Sequence, residues 1–141
     1  GTGTATANVL NDYEEGTFLP TVFGSTIAGV AAYTNRTGRY TKIGNLVNVQ
    51  VYINWSAIVG GTGDLRFGGL PFTSSSDATV FSAVTFGYTA ISLTANNVLV
   101  GYISSNQTNI EAQQYPVGGG SITNVPIDTA SEVIYSLTYR V

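Results

Sequence analysis

Between Val47 and Trp55 apolar and polar residues alternate without a break. Val47, Val49, Val51, Ile53 and Trp55 fall on one parity, and Asn48, Gln50, Tyr52 and Asn54 on the other. Successive side chains of an extended chain point to opposite faces, so the pattern predicts a half-buried strand with one apolar face. Upstream, Gly38 and Gly44-Asn45 bracket Arg39–Ile43, which predicts a short strand, a tight turn and then the long strand. The last nine residues repeat the alternation. Val133, Tyr135, Leu137, Tyr139 and Val141 share a face opposite Ile134, Ser136, Thr138 and Arg140, as expected of a core strand.

The rest of the chain fills in around these two strands. Thr17–Phe23 reads as a first strand, and Pro20, lacking an N–H, places it at a sheet edge or on a bulge. Gly24–Thr37 reads as loop with one short strand near Val30–Tyr33. Gly60–Gly63 is a turn, Asp64–Gly68 a short strand and Thr73–Asp77 a polar loop. Ala78–Thr89 alternates, with Val80, Val84, Phe86 and Tyr88 on one face. Leu93–Asn97 contains a turn, Val98–Ser104 is apolar on both faces, and Asn106–Asn109 turns the chain into Ile110–Gln114. Gly118–Gly120 is the most flexible interior point. Short strands between turn signals, with no helical periodicity, predict an all-β fold: an antiparallel β-sandwich of jelly-roll type. Residues 1–10, opening Gly-Thr-Gly-Thr-Ala-Thr-Ala, read as a flexible linker or shaft remnant, and 11–141 as one domain.

Composition sharpens this picture chiefly by exclusion. Charged residues are 9% of the 141, against about a quarter in an average globular protein. A net charge of −3 with five basic residues speaks against nucleic acid, which needs clustered Lys or Arg. Ile43–Gly63 and Ala78–Ile110 carry no charge, yet neither holds the ~20 predominantly apolar residues of a spanning helix, so no membrane insertion is expected. The opening residues lack the basic start and apolar run of a signal peptide. No His and no Cys means no Ser-His-Asp or Cys-His catalysis and no thiolate metal site. Glycoside hydrolysis would need two carboxylates roughly 5–9.5 Å apart. Glu14 and Glu15 are neighbours that point apart in extended chain, and Asp64, Asp77, Glu111, Asp128 and Glu132 come singly, as solvated loop acids. The expectation is therefore a non-enzymatic domain without a cofactor; calcium held by Asp64 or Asp77 with backbone carbonyls stays open. Gly61-Thr62-Gly63 reads as a hairpin turn and not a phosphate cradle.

Two features point to binding. Nine Tyr, six Phe and one Trp exceed what a small core holds, and tyrosine suits protein interfaces and sugar surfaces alike. Tyr88, Tyr102 and Tyr115, on or beside loops, are candidate carbohydrate-binding residues together with Asn106 and Gln114. The outward parity Asn48, Gln50, Tyr52 and Asn54 lacks the Lys or Glu that normally guards an exposed strand. A second copy of the chain covering it in a symmetric oligomer would explain that.

Asn8–Thr21, reading Asn-Val-Leu-Asn-Asp-Tyr-Glu-Glu-Gly-Thr-Phe-Leu-Pro-Thr, resembles a motif that opens the C-terminal head domain of bacteriophage tail fibre and tailspike proteins. Gly38–Val47 resembles a second hallmark of those domains and Gly69–Phe72 a third, while Tyr135–Val141 fits their usual ending. Asn11 and Phe18 depart mildly from the motif, and Thr73–Ser131 matches none of it. The resemblance implies a homotrimeric, TNF/C1q-like jelly roll at the tip of a virion fibre, behind an upstream shaft or enzymatic domain. Its implied role is to bind host cell-surface polysaccharide and hold the fibre trimer together. The alternative is a structural trimerisation cap of an upstream depolymerase, without a ligand of its own.

Overall fold

The computed structural model describes residues 12–141, so the linker reading of 1–10 and the start of the Asn8–Thr21 motif lie outside the described residues. Two antiparallel sheets stack as a sandwich, with no helix among the described residues. The first sheet has the order β1 (Tyr13–Phe18), β3 (Val30–Ile43), β4 (Leu46–Val59), β11 (Ser131–Arg140), β7 (Thr85–Thr89). The second has the order β2 (Thr21–Gly24), β5 (Leu65–Gly68), β9 (Ile110–Pro116), β8 (Asn97–Ile103), β6 (Ser82–Ala83), and β10 (Thr123–Asn124) pairs with β9.

The two alternating stretches lie side by side at the centre of the first sheet. Val47, Val49, Val51 and Ile53 on β4 face Tyr139, Leu137, Tyr135 and Val133 on β11, and every one of these is buried. Leu65, Phe67, Ile103, Ile110 and Ala112 close the core from the second sheet. Phe67 packs with Trp55, Tyr135 and Phe86 at ring-centroid distances of 6.3, 5.5 and 6.1 Å. Each such side chain contributes about 1.5–3 kcal/mol on burial, so this cluster dominates the fold's cohesion. The aromatic surplus is therefore largely core. Trp55, Phe67, Tyr135 and Tyr139 are fully buried, and Phe18, Tyr33, Tyr40, Phe72 and Phe86 pack against them.

Three expectations need correction. Thr17–Phe23 is not one strand: the chain breaks at Leu19-Pro20, leaves β1 at the edge of the first sheet and enters β2 at the edge of the second. A residue without an N–H fits the crossing point, where no ladder bond is lost. On the opposite flank Val84 alone separates β6 of the second sheet from β7 of the first, so both flanks are closed by chain passing between sheets.

Gly38 is not a turn residue. It lies inside β3, which runs unbroken over 14 residues and absorbs irregularity as bulges around Tyr33. The Phe18 ring covers Gly38, where a Cβ would come within 2.6 Å of it, and two register positions away the Tyr40 ring covers Gly16 at 2.8 Å. The turn falls at Gly44-Asn45 as expected, with Gly44 at φ +59 and Ile43 paired to Leu46.

Finally, Val80, Phe86 and Tyr88 do not share one strand face. Val80 precedes β6, and a register shift between Ile134 and Tyr135 puts Phe86 against Tyr135 in the core while Tyr88 stands opposite Ile134 on the outside.

Candidate functional site

The outer face of the first sheet gathers the most polar chemistry. The parity rule puts Asn48, Gln50, Tyr52 and Asn54 there from β4, and the registers bring Thr37, Arg39 and Thr41 from β3 and Glu132, Ile134, Ser136 and Thr138 from β11 alongside. The bulge in β7 adds Tyr88. Glu132, opposite Asn54, is the hub of one end. Its Oε2 accepts from the Tyr52 hydroxyl at 2.9 Å and Asn54 Nδ2 at 3.1 Å, and its Oε1 from the Tyr88 hydroxyl at 3.2 Å. The donors, Tyr52 first and then Asn54, lower the Glu132 pKa below the ordinary glutamate value. The same contact, a hydrogen bond to Glu132, raises the Tyr88 phenol.

Two shallow concavities cross this face and share Arg39 and Gln50. One, about 430 Å³, is lined by Thr37, Tyr52, Thr85, Gly87, Ile134 and Ser136. The other, about 410 Å³, runs past Thr17, Thr41 and Asn48 towards Glu15. At the far end of the face Tyr13, Ile43 and Leu46 stand in register on three strands, 51%, 45% and 42% exposed, as an apolar stripe. A carboxylate under three donors favours its ionised form, which accepts hydrogen bonds and has no proton to give. With tyrosine faces, amides and a guanidinium around it, the arrangement suits holding a hydroxyl-rich ligand more than transforming one.

The residues expected to bind carbohydrate are not brought together. Tyr88 joins Tyr52, Asn54 and Glu132 on the first sheet. Tyr102 and Tyr115 lie on the outer face of the second. Tyr102 packs edge-on against Phe81 at 5.8 Å and bonds Glu111, itself paired with Arg66 at 2.9 Å, whereas Tyr115 lies opposite Val98. Asn106 sits in the β8–β9 hairpin at φ +55. Gln114 is enclosed, 4% exposed, because the inward parity of β9 is Ile110, Ala112, Gln114; its Oε1 accepts the Thr94 N–H at 2.7 Å. It is a core tether and is withdrawn as a surface contact.

The acids also differ from the loop reading. Glu111 and Glu132 are strand residues with bonded partners, and Glu132 is the site residue the sequence did not single out. Asp64 accepts from Asn124, and Asp77 caps the N–H and hydroxyl of Thr79. Among the described residues no three acids cluster as a metal cage would require.

Among solved structures, the crystal structure of Dettilon tailspike protein (gp208) superposes on 91% of this chain with a TM-score of 0.71 at 20% sequence identity. The superposed part is 24% of that chain, so the two share a fold over about a quarter of the tailspike. No protein-family model matches the sequence, and no curated protein does.

Proposed function

We propose that the chain is a head domain of a phage tail fibre or tailspike, carried on the virion and acting at the host cell surface. It binds carbohydrate without chemistry, in the concavity lined by Arg39 and Tyr52 and on the adjoining surface where Tyr52 meets Glu132 and Tyr88. The observation that carries this is the Glu132 cluster: a carboxylate, an amide and two phenols converging beside an open concavity. Carboxylates and amides take sugar hydroxyls, and the tyrosine faces take the apolar faces of pyranose rings. The shared fold with a tailspike and the three sequence motifs support the virion setting. Assembly as a homotrimer would use the Tyr13–Ile43–Leu46 stripe, and three weak sites would then act by avidity.

The test is retention of labelled protein on susceptible host cells, with Tyr88→Ala and Glu132→Ala beside the wild type. Wild-type retention that both substitutions reduce by at least about tenfold, at unchanged particle mass, supports the site. Retention that neither substitution moves overturns it.

A second reading follows from the same stripe. If sister chains cover the whole face, Ile134 included at 46% exposed, the domain is a trimerisation cap for an upstream shaft or enzyme. Sedimentation equilibrium separates the two: Tyr52→Arg then dissociates the assembly, whereas under the first reading the mass is unchanged.

A further inference from the structure

We propose that the groove takes an acidic saccharide, with Arg39 as the contact for its anionic group. This rests on the carbohydrate reading above and adds the charge class of the ligand.

The chain has five cations, and the described residues account for three of them. Lys42 pairs with Asp12 at 2.7 Å, Arg66 with Glu111 at 2.9 Å, and the Arg36 guanidinium lies 4.3 Å from the centroid of the Tyr33 ring. Arg140 is exposed at the Leu46 end. Arg39 is the cation that lines both concavities of the outer face, and it forms no ion pair among the described residues. Residues 1–11 contain no Asp or Glu, so no side-chain carboxylate is hidden there.

The acids nearest along the sheet are engaged elsewhere. Glu15 is one strand over and two positions along from Arg39, and it accepts the Tyr13 hydroxyl at 2.6 Å, on the side away from Arg39. Glu132 pairs with Asn54, four positions along β4 from the Gln50 opposite Arg39, or about 13 Å away, and is held by three donors. Apart from Glu15 towards the far end of one concavity, the polar groups that line the two concavities with Arg39 are neutral: Thr17, Thr37, Thr41, Asn48, Gln50 and Ser136 among them. These groups can bond sugar hydroxyls on either side of an anion but cannot neutralise Arg39.

A planar guanidinium presents paired donors that match the two oxygens of a carboxylate or of a phosphodiester. Either could be carried by a polysaccharide repeat, and Glu132, bonded to Tyr52 beside the groove, repels a second negative charge there. The arrangement therefore selects an anion at Arg39 and a neutral, hydroxyl-rich sugar beside Tyr52 and Tyr88.

The test is an array of bacterial surface polysaccharides in three classes: uronate-containing, phosphodiester-containing and neutral. The uronate members are printed both native and carboxyl-reduced. Wild type, Arg39→Gln and Arg140→Gln are compared at low and high salt, with sedimentation equilibrium on each. We expect binding to acidic members, loss on carboxyl reduction where the anion is a uronate, and weakening by salt. Arg39→Gln should bind at least about tenfold more weakly, while Arg140→Gln, with the same change in net charge, binds as wild type. Preference for phosphodiester members over uronates assigns the anion as phosphate. Equal binding of native and reduced forms with no preference for phosphodiester over neutral members, or an unaffected Arg39→Gln, overturns the charge class but leaves the carbohydrate reading standing. If Arg39→Gln instead dissociates the assembly, the anion belongs to a second copy and the proposal fails. No binding by wild type to any member removes the carbohydrate reading itself.

Discussion

Tyr135 puts a phenol in the middle of the core, 1% exposed, and its hydroxyl has no hydrogen-bond partner. Tyr139, four residues on, donates its hydroxyl to the Phe72 carbonyl at 3.1 Å. The same substitution at the two positions should therefore give opposite results. Tyr135→Phe removes an unsatisfied polar atom and is expected to leave stability unchanged or raise it by up to about 1 kcal/mol. Tyr139→Phe loses a bond and strands a carbonyl, costing about 1–2 kcal/mol. Urea denaturation of both variants checks the contrast. Glu132 makes a pH-dependent contribution whose sign is fixed by its donors. Its folded-state pKa lies below the unfolded value, so its share of stability is present above the ordinary glutamate pKa and is lost as pH falls through the depressed one. Glu132→Gln should flatten the acid limb of the stability–pH curve. An acid limb identical in both proteins would show that the three donors do not hold the charge.

The β1–β3 pair shows how an element is specified by residues far apart in sequence. Phe18 lies on Gly38 and Tyr40 on Gly16, each ring filling the space that the missing Cβ leaves. Gly38→Ala must push the Phe18 ring aside and is expected to cost about 1–3 kcal/mol, by the overpacking argument. The double variant with Phe18→Leu should recover part of that in a double-mutant cycle; additive losses would mean the ring and the glycine do not interact. From the sequence alone Gly38 looked like a turn, because a glycine's role here depends on an aromatic 20 positions away. The Gly44-Asn45 turn and the inward parities of β4 and β11 were legible, since each is a local pattern with one physical solution. The same parity placed Asn48, Gln50, Tyr52 and Asn54 correctly on an outer face. Glu132 was not legible, because only the β4–β11 register sets it beside Asn54. Tyr88 reaches that face through a bulge, and Gln114 is a polar residue on an inward parity; neither leaves a mark in the pattern of apolar residues. The stretches that resemble tail-fibre motifs prove to be scaffold. Tyr40 packs edge-on against Phe72 at 5.3 Å, Lys42 pairs with Asp12, and Tyr139 ties the closing strand to Phe72. They hold one flank of the sandwich, which is why they announced the fold more clearly than the ligand.

At the scale of the whole molecule, two sheets joined along both flanks enclose one core, so that core should respond to alkali as a unit. Burial pushes Tyr139 up to about 12, and Tyr135 higher still. Both would ionise near 10 in the unfolded chain. Between those values the folded state keeps protons that the unfolded state has released, so stability falls as pH rises above 10, by about 1.4 kcal/mol per pH unit for each phenol. Below pH 10 neither group affects the balance. A tyrosinate absorbance titration should therefore show two phases. The exposed phenols of Tyr13 and Tyr88, raised by their bonds to Glu15 and Glu132, ionise before the buried pair, with the sheet signal in circular dichroism intact. The buried pair follows in a steep step that coincides with loss of that signal, because ionising either requires the core to open. Tyr135→Phe should shrink the second step and move it to higher pH, as one of the two protons driving alkaline unfolding is gone. If every phenol titrates smoothly while the sheet signal persists, the two tyrosines are not sealed between the sheets, and the packing that positions the outer-face groove is different from the one described.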